Sequence, residues 1–200
     1  MDPKRQLMPT PDDWAEFYDL TKNKPPSELL VQALAHVKNK GKAIDIGGGA
    51  LKDTRYLLAQ GFDVTVIDKS ELMAKEAQAI SSHRFYYFVS AFANFDFPKN
   101  TYDLASAMYS LPFNPSHSFK AVFAKIKTSL AKDGIFCGQC FGLHDEWSTN
   151  PNLTFHSKEQ VEKLLSDLEV ILLDEEEKDD KTANGTPKHW HVFHFIARKP

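Results

Sequence analysis

The sequence predicts an α/β fold in which a seven-stranded, mostly parallel sheet carries helices on both faces and ends in an antiparallel hairpin. Between residues 26 and 168, short apolar runs alternate with runs of helical periodicity, which is the pattern of a parallel sheet wrapped by helices. The last two apolar runs have no helix between them, and Asn184 and Gly185 in their connection favour a reverse turn. A chain of 200 residues is within the range of one domain, so we expect a single domain over residues 1–200.

The predicted strands are short apolar runs, several of them rich in β-branched residues. The five parallel strands cover 42–46, 63–68, 85–89, 103–109 and 134–141, and the closing pair covers 169–174 and 191–198. The predicted helices cover 25–41, 52–61, 70–82, 118–134 and 157–168. Ser70 is a cap-like residue at the start of the third helix. We expect the acidic run EEEKDDK in the last connection to be an exposed turn.

The composition favours a soluble domain. Hydrophobic residues make up 42% and charged residues 26%, as in ordinary globular proteins, and a net charge of −3 offers no basic footprint for nucleic acid. No apolar stretch approaches the roughly 20 residues that span a bilayer, and the first residues lack the apolar core of a signal peptide. We therefore expect a cytoplasmic protein with no nucleic-acid or membrane partner.

The two cysteines form a C-x-x-C sequence, which in other contexts signals redox or zinc chemistry. Cys137 and Cys140 lie inside a predicted strand, where residues three apart point to opposite faces. Two thiols so placed cannot readily share a disulfide or a metal ion. We expect them to be buried core residues.

The stretch KAIDIGGGALKDT, residues 42–54, joins the first strand to the helix after it, which is where an open parallel sheet binds its ligands. Three kinds of ligand loop compete for it. A P-loop is excluded, because no lysine and hydroxyl pair stands at the required spacing. A dinucleotide fingerprint matches at Gly47 and Gly49, but Lys52 occupies the position of the third glycine. That departure weakens the interpretation as an NAD site without abolishing it.

The third kind of loop rests on a resemblance. Four features together are similar to class I S-adenosylmethionine-dependent methyltransferases. They are the D-I-G-G-G run at 45–49, an aspartate that ends the second strand (Asp68), a phenylalanine after the third (Phe92) and a fourth strand that leads into SAMYSLPF. A closing hairpin with a reversed last strand separates that family's Rossmann-like sheet from ordinary dinucleotide folds. The chain most resembles the compact tellurite-resistance-like and other small-molecule methyltransferases, over nearly its whole length from about residue 10.

The resemblance implies S-adenosylmethionine as the cofactor and a set of residues that bind it. These residues are Tyr18, Asp45, Gly47, Gly48, Gly49, Asp68, Lys69, Ala91, Phe92 and Met108. Asp68 would accept hydrogen bonds from the ribose diol, and Asp45 would orient the loop and reach towards the amino group of the ligand. Ala91 and Phe92 would border the adenine, and Met108 would lie near the sulfonium.

Two positions depart from the family's pattern. Many members have a further glycine where Leu51 stands, so we expect the loop to sit slightly differently here. Many also have an acidic residue after the third strand that holds the adenine amino group, whereas this chain has Ser90, Ala91 and Phe92 there. Backbone groups or Ser90 would then hold the adenine.

The candidate catalytic residues lie at the end of the fourth predicted strand and after the fifth. Methyl transfer needs alignment of donor and acceptor and exclusion of water, and a general base only for a protonated, weakly acidic acceptor. The absence of a catalytic triad is therefore no objection. Tyr109 and His144, the latter in the loop FGLHDEW, are the two candidates, because loops at this edge carry function more often than cores do.

Two further segments are candidates for the acceptor site. Residues 10–40 would form a helical lid or flank, in which Trp14 and Phe17 recur at helical spacing, and simple packing on the body is the plainer alternative. His189 and His191 share one face of a predicted strand and could ligate a metal. Because no acidic residue or cysteine is obviously paired with them, we expect no metal ion and a substrate-facing or structural role.

The sequence thus predicts an enzyme, an S-adenosylmethionine-dependent methyltransferase that acts on a small-molecule acceptor. An NAD-dependent oxidoreductase is the first alternative, which Lys52 and the closing hairpin disfavour. A non-catalytic protein that binds S-adenosylmethionine in the same fold is the second. Nothing in the sequence indicates the accepting atom or the oligomeric state.

Overall fold

The computed structural model describes residues 11–200 and contains one large sheet with helices on both faces. The strands are β1 (Lys42–Ile46), β2 (Asp63–Asp68), β3 (Phe85–Val89), β4 (Tyr102–Ala107), β5 (Leu130–Gly142), β6 (Phe155–His156), β7 (Glu169–Lys181) and β8 (Pro187–Arg198). The helices are α1 (Pro11–Thr21), α2 (Glu28–Leu34), α3 (Lys52–Ala59), α4 (Leu72–Gln78), α5 (Ser116–Ser129) and α6 (Lys158–Leu165). Two short 3-10 helices cover Phe92–Asn94 and Leu111–Phe113.

The predicted fold class is confirmed by the order and direction of the strands. The sheet runs β3-β2-β1-β4-β5-β8-β7; β1 to β5 are parallel, and β8 is antiparallel to both of its neighbours. An eighth strand, the two-residue β6, pairs with β5 and was not predicted because it is too short to show a pattern. The strand order reverses between β1 and β4, and their carboxyl ends are therefore where a ligand is expected.

Buried side chains form one cluster on each face of the sheet. The cluster on the first face includes Ile44, Phe136 and Phe195 and packs against α5 and α6. The cluster on the second face packs against α1 to α4. Cys140 belongs to the first cluster and Cys137 to the second, so the thiols are free, buried and on opposite faces, as expected. Among residues 11–200, no helix combines the length and apolar character needed to cross a membrane.

Several predicted boundaries are wrong; the helix predicted over 25–41, for example, covers only Glu28–Leu34. The helix predicted over 118–134 ends at Ser129, because the next residue, Leu130, has an extended backbone and pairs with Tyr102 of β4. The acidic run predicted as a turn is the second half of β7, and it pairs with the first half of β8. This extension places Asp179 opposite His189, whose Nδ1 lies 2.8 Å from Oδ1 of Asp179, and opposite charges across a sheet stabilise such pairing.

Leu51, the residue that replaces the family's further glycine, has a left-handed backbone. Its φ is 60° and ψ is 19°, a conformation that usually costs a non-glycine residue about 1–2 kcal/mol. Its side chain is nevertheless completely buried in the second-face cluster. The apolar burial therefore offsets the backbone strain, which explains how leucine is accommodated at a position that favours glycine.

We expect Leu51→Gly to destabilise the protein less than Leu51→Ala, the reverse of the usual order. Both substitutions remove the buried side chain, which costs about 2–5 kcal/mol, but only glycine relieves the left-handed strain of about 1–2 kcal/mol. Urea unfolding of the two variants measures the difference. The same pair of substitutions at Leu57, buried within α3, is the matched control and should show alanine as the milder change. If alanine is the milder substitution at both Leu51 and Leu57, the interpretation of Leu51 is contradicted.

Candidate functional site

The loop between β1 and α3 brings its backbone against the end of β4. Gly47 has a φ of 75°, and a Cβ there would stand 2.4 Å from Cβ of Ser110 and 3.2 Å from Cζ of Phe92. The Ser110 hydroxyl donates a hydrogen bond to the Ile46 carbonyl oxygen, which holds the two chain segments together. Only glycine fits at position 47 in both conformation and space. The loop therefore stays open and presents bare backbone at the carboxyl edge of the sheet.

Asp68, at the end of β2, fastens this loop. Its Oδ2 accepts a hydrogen bond from the Gly49 amide at 3.0 Å, and its Oδ1 accepts one from the Ser70 amide at 2.9 Å. Ser70 is consequently a turn residue, and α4 begins after Glu71, so the expected cap at Ser70 is wrong. Burial raises the pKa of Asp68, while the two amides favour its ionised form. A carboxylate has about four acceptor positions, so Asp68 keeps acceptor capacity for a ligand.

Asp45 is buried beneath the loop, and its Oδ2 accepts a hydrogen bond from the Thr54 hydroxyl at 2.6 Å. Burial raises the pKa of Asp45 to about 7, and the nearby Asp53 carboxylate adds to the effect. Asp53 in turn accepts hydrogen bonds from the backbone and hydroxyl of Ser27 and from the Lys52 ammonium. Asp45 thus ties the loop to the first turn of α3.

Tyr18 of α1 lies over the glycine loop. A Cβ at Gly49 would stand 3.6 Å from Cε1 of Tyr18 and 3.9 Å from Cε1 of Phe17. Burial, followed by the charge of Asp68, raises the pKa of Tyr18 to about 12, so its hydroxyl is protonated at neutral pH. Lys69 is exposed beside this region. The predicted lid helix therefore does contact the loop that it was expected to cover.

On the side of β3, the expected adenine-bordering residues are only partly enclosed. Phe92 is half-buried, with its ring close to Gly47, and Ala91 is exposed. The Ser90 amide donates to the Asp68 carbonyl oxygen, and the Ser90 hydroxyl donates to the Ala91 carbonyl oxygen. An apolar ring face beside exposed backbone is an arrangement that can accept a flat base.

Met108 and Tyr109 follow β4 on the second face of the sheet. Gln139 of β5 is buried between them: its Oε1 accepts a hydrogen bond from the Tyr109 amide at 2.8 Å, and its Nε2 lies 3.7 Å from Sδ of Met108. The contact holds Tyr109 in a left-handed conformation with a φ of 52°. The Tyr109 ring then lies edge-on to Trp190 and His194 of β8.

The two candidate catalytic residues are not brought together. Tyr109 contacts Trp190, whereas His144 bonds to His191, the next residue along β8. Neighbouring residues of a strand point to opposite faces of the sheet. His144 is exposed, and its Nδ1 lies 3.2 Å from Oε2 of Glu177. Tyr109 is therefore the candidate that shares a face with the glycine loop.

A buried ion pair next to Tyr109 was missed by the sequence analysis. Lys188 and Asp145 are almost fully buried, with Nζ 2.5 Å from Oδ2. Three rings surround the ammonium, and the distances from Nζ to the ring centroids are 3.7 Å for Trp190, 4.4 Å for Trp147 and 5.3 Å for Phe141. Burial lowers the pKa of Lys188, and the Asp145 carboxylate opposes that shift. We call these five residues the aromatic box.

The comparisons with known proteins agree with this geometry. Residues 43–134, just under half of the chain, match the profile of a family described as a methyltransferase domain. No curated protein matches the chain in sequence. Solved structures of similar fold include TehB from Haemophilus influenzae, with a TM-score of 0.72 and 15% identity over 92% of this chain and 66% of that one.

The similarity extends over nearly the whole length of two other solved structures. A methyltransferase from Methanosarcina mazei, described as S-adenosylmethionine-dependent, has a TM-score of 0.63 and 17% identity over 83% of this chain and 96% of that one. The 1,6-didemethyltoxoflavin-N1-methyltransferase of Burkholderia thailandensis has a TM-score of 0.64 and 18% identity over 96% and 91%. That structure contains 1,6-didemethyltoxoflavin and S-adenosylhomocysteine. The resemblance drawn from the sequence is confirmed, and identities of this size establish the fold.

We expect Asp45→Asn to remove a pH dependence of stability. A folded-state pKa of about 7, above the ordinary 3.8, means that the folded protein keeps a proton that the unfolded chain releases. The stability that protonated Asp45 contributes is fully present below the ordinary pKa of 3.8. As pH rises from there towards 7, the free energy of unfolding falls by up to about 1.4 kcal/mol per pH unit. Urea unfolding at several values between about pH 5 and 8 measures the slope.

The exposed Asp96 is the control for this experiment, and Asp96→Asn should keep the slope of the unmodified protein. Asparagine at position 45 can still accept the hydrogen bond of Thr54, so the variant is expected to fold and to be the more stable protein at pH 8. An identical slope with and without Asp45 would contradict the assignment.

The Asp145–Lys188 pair should show strong coupling in a double-mutant cycle. Lys188→Met leaves a buried carboxylate without its cation, a loss of about 3–5 kcal/mol, whereas Asp145→Asn with Lys188→Met removes both charges. We expect the double variant to lose less free energy of unfolding than the two single variants lose in sum, by at least about 1 kcal/mol as measured by urea unfolding. The pair Glu176–Lys178, on one face of β7 and half-exposed and exposed, is the control and should couple by less than about 1 kcal/mol. Additive losses at the buried pair would refute its role.

Proposed function

We propose that this chain, whose residues 43–134 match the methyltransferase-domain family, is an S-adenosylmethionine-dependent methyltransferase acting on a small-molecule acceptor. One observation carries the proposal: the bare backbone of the glycine loop is bonded through the Gly49 amide to Asp68, at the point where the strand order reverses. The shared fold with S-adenosylmethionine-dependent enzymes supports the choice of cofactor.

The proposed cofactor site combines residues at or just after the ends of four strands, β1, β2, β3 and β4. The free acceptor positions of Asp68 take the ribose hydroxyls, and the exposed ammonium of Lys69 lies next to it. Gly47 and Gly48 admit the ligand to the loop, while Asp45 holds that loop from below. Phe92 and Ala91 border the base, and Met108 lines the methyl-bearing end. These residues are the ones predicted from sequence.

Lys52 argues against the first alternative, an NAD-dependent oxidoreductase. Its ammonium donates hydrogen bonds to the Ser27 hydroxyl at 2.7 Å and to Oδ1 of Asp53 at 3.1 Å. The dinucleotide fingerprint places a glycine at this position so that the helix packs closely beside a pyrophosphate. Here a long side chain stands there and bonds the start of α3 to the segment before α2, so Lys52 serves the structure instead.

The acceptor lies on the same face, between α1 and the residues after β4. S-adenosylmethionine supplies a methyl group on a positively charged sulfur, and the protein aligns an acceptor with it and keeps water out. Half-buried Trp14 and Phe113, whose ring centroids are 5.3 Å apart, form an apolar wall, with Tyr109 beyond it. The Burkholderia enzyme, with 1,6-didemethyltoxoflavin bound, supports a small acceptor. We infer that residues 11–40 act as the lid over both ligands in a single domain; residues 1–10 of the predicted domain lie outside the described residues.

Tyr109 is the better placed of the two catalytic candidates. Burial raises its pKa, so the hydroxyl is protonated at neutral pH and donates a hydrogen bond that orients the acceptor. His144 lies on the other face of the sheet, beside β8, and its ring bonds to Glu177. We therefore infer that it lies at the entrance to the site and does not transfer a proton. An acceptor with a free lone pair needs no base from the protein.

We expect Asp68→Ala to weaken the binding of S-adenosylhomocysteine at least about tenfold, because the ribose acceptor and the anchor of the Gly49 amide are both lost. Isothermal titration calorimetry measures the affinity, and circular dichroism verifies the fold. The control is Asp63→Ala at the opposite end of β2, which should bind as the unmodified protein does. Unchanged affinity in Asp68→Ala would remove the ribose role.

Thermal melting with S-adenosylhomocysteine, NAD or ATP, each added separately, tests the choice of cofactor. Stabilisation by S-adenosylhomocysteine alone is the expected result, and stabilisation by NAD alone would overturn the proposal. Transfer of a labelled methyl group from S-adenosylmethionine to members of a small-molecule panel then tests catalysis. Binding without any methylated product across a broad panel would favour the non-catalytic alternative.

A further inference from the structure

Three side chains on the first face of the sheet form a cluster of possible metal ligands. His144 follows β5, Glu177 lies on β7 and His191 lies on β8, and one nitrogen or oxygen of each lies within 4.8 Å of the others. The Nδ1 of His144 is 3.2 Å from Oε2 of Glu177, and the two histidine rings are stacked with centroids 4.8 Å apart. We call these three residues the histidine–glutamate cluster.

His191 is the buried and fixed member of the cluster. Its ring occupies the space above Gly142, where a Cβ would stand 2.2 Å from Nδ1, so glycine is required there. The Nε2 of His191 lies 3.1 Å from Oε1 of Glu175, and Nδ1 accepts a hydrogen bond from the His144 amide. In this tautomer Nε2 carries the proton and Nδ1 carries the single lone pair, so a metal ion on Nδ1 takes the place of the amide of His144, an exposed residue. A carboxylate on the far nitrogen is the usual orienting partner of a metal-bound histidine.

His144 and Glu177 are the mobile members of the cluster. Their side chains are 67% and 44% exposed, so they can move without disturbing the core. Zinc bonds of about 2.0–2.2 Å place ligand atoms roughly 3.3 Å apart in a tetrahedral site, and rotation of these two side chains is enough to close the present spacing. Because both are open to solvent, neither requires the desolvation of a buried charge.

The charges around the cluster favour a cation. Glu175, Glu177 and Asp179 project from one face of β7, whose alternate residues share a side. Among the described residues, Lys158 is the lysine that forms an ion pair with these carboxylates, and its Nζ lies 3.3 Å from Oε2 of Glu175. Oδ1 of Asp179 also lies 2.8 Å from Nδ1 of His189. With neutral histidines, this patch is net negative.

We propose that the histidine–glutamate cluster binds a divalent first-row transition-metal ion of the zinc type, with the remaining coordination positions open to solvent. Two imidazoles and one carboxylate are the ligand types that such ions prefer, whereas magnesium favours a shell of oxygen ligands. The ion bonds the loop after β5 to both strands of the hairpin. Because His144 and Glu177 are exposed, the open coordination positions of the metal face the solvent on the first face of the sheet.

Titration of the tag-free protein with ZnCl2 in the absence of cofactor tests this proposal independently of methyl transfer. Isothermal titration calorimetry should show one ion per chain, and Glu177→Gln and His144→Ala should each weaken binding at least about tenfold. His83→Ala, an exposed histidine outside the cluster, and Glu176→Gln, on the opposite face of β7, are the matched controls and should bind as the unmodified protein does.

Thermal melting supplies a second readout. Zinc should raise the melting temperature of the unmodified protein and of both controls, but not that of Glu177→Gln, because a ligand that binds only the folded state stabilises it. Absence of saturable binding up to about 1 mM zinc, or equal affinity in the cluster variants and the controls, would overturn the proposal. Magnesium binding as tight as zinc binding would overturn the assignment to the zinc type.

Discussion

The hydrogen bond from the Gly49 amide to Asp68 is the interaction on which the arrangement of the site depends. It ties the turn after β1 to the end of β2, while the Ser110 hydroxyl donates a hydrogen bond to the carbonyl oxygen of Ile46, the last residue of β1, and so ties it to the segment after β4. The loop is therefore held from both neighbouring strands. Asp45 and Thr54 fix it from below, and Tyr18 covers it from above. Its backbone is positioned before any ligand arrives, which reduces the entropy lost on binding.

The sequence predicted most of this core because its signals are local. Alternating apolar runs establish the strands, and a glycine run directly after a buried strand marks the ligand loop whatever the rest of the chain does. The role of Asp68 came from the family resemblance, which rests in part on its place at the end of the second strand. Leu51 was recognised as a departure, but only the structure shows that burial offsets its left-handed backbone.

The features that the sequence did not predict all depend on contacts between distant segments. Lys188 and Asp145 are 43 positions apart and meet only because β8 runs beside the loop after β5. His189 and His191 were judged to lack acidic partners, which is wrong, because Glu175 and Glu177 reach them from β7. The second half of that strand was itself misread as a turn: its seven residues are all charged and carry no apolar alternation, and their pairing with β8 is what makes them a strand.

The alternation of side chains along β8 lets one strand serve two sites. Lys188 and Trp190 point to the second face and enter the aromatic box, whereas His189 and His191 point to the first. The loop after β5 contacts both sets, because Oδ2 of Asp145 accepts from the Lys188 ammonium and from the His191 amide, and the adjacent His144 belongs to the histidine–glutamate cluster. A metal ion held on the first face would therefore stiffen the loop whose Trp147 packs in the box on the second. The two faces are thus linked through the consecutive residues His144 and Asp145, with no need for movement of the sheet between them.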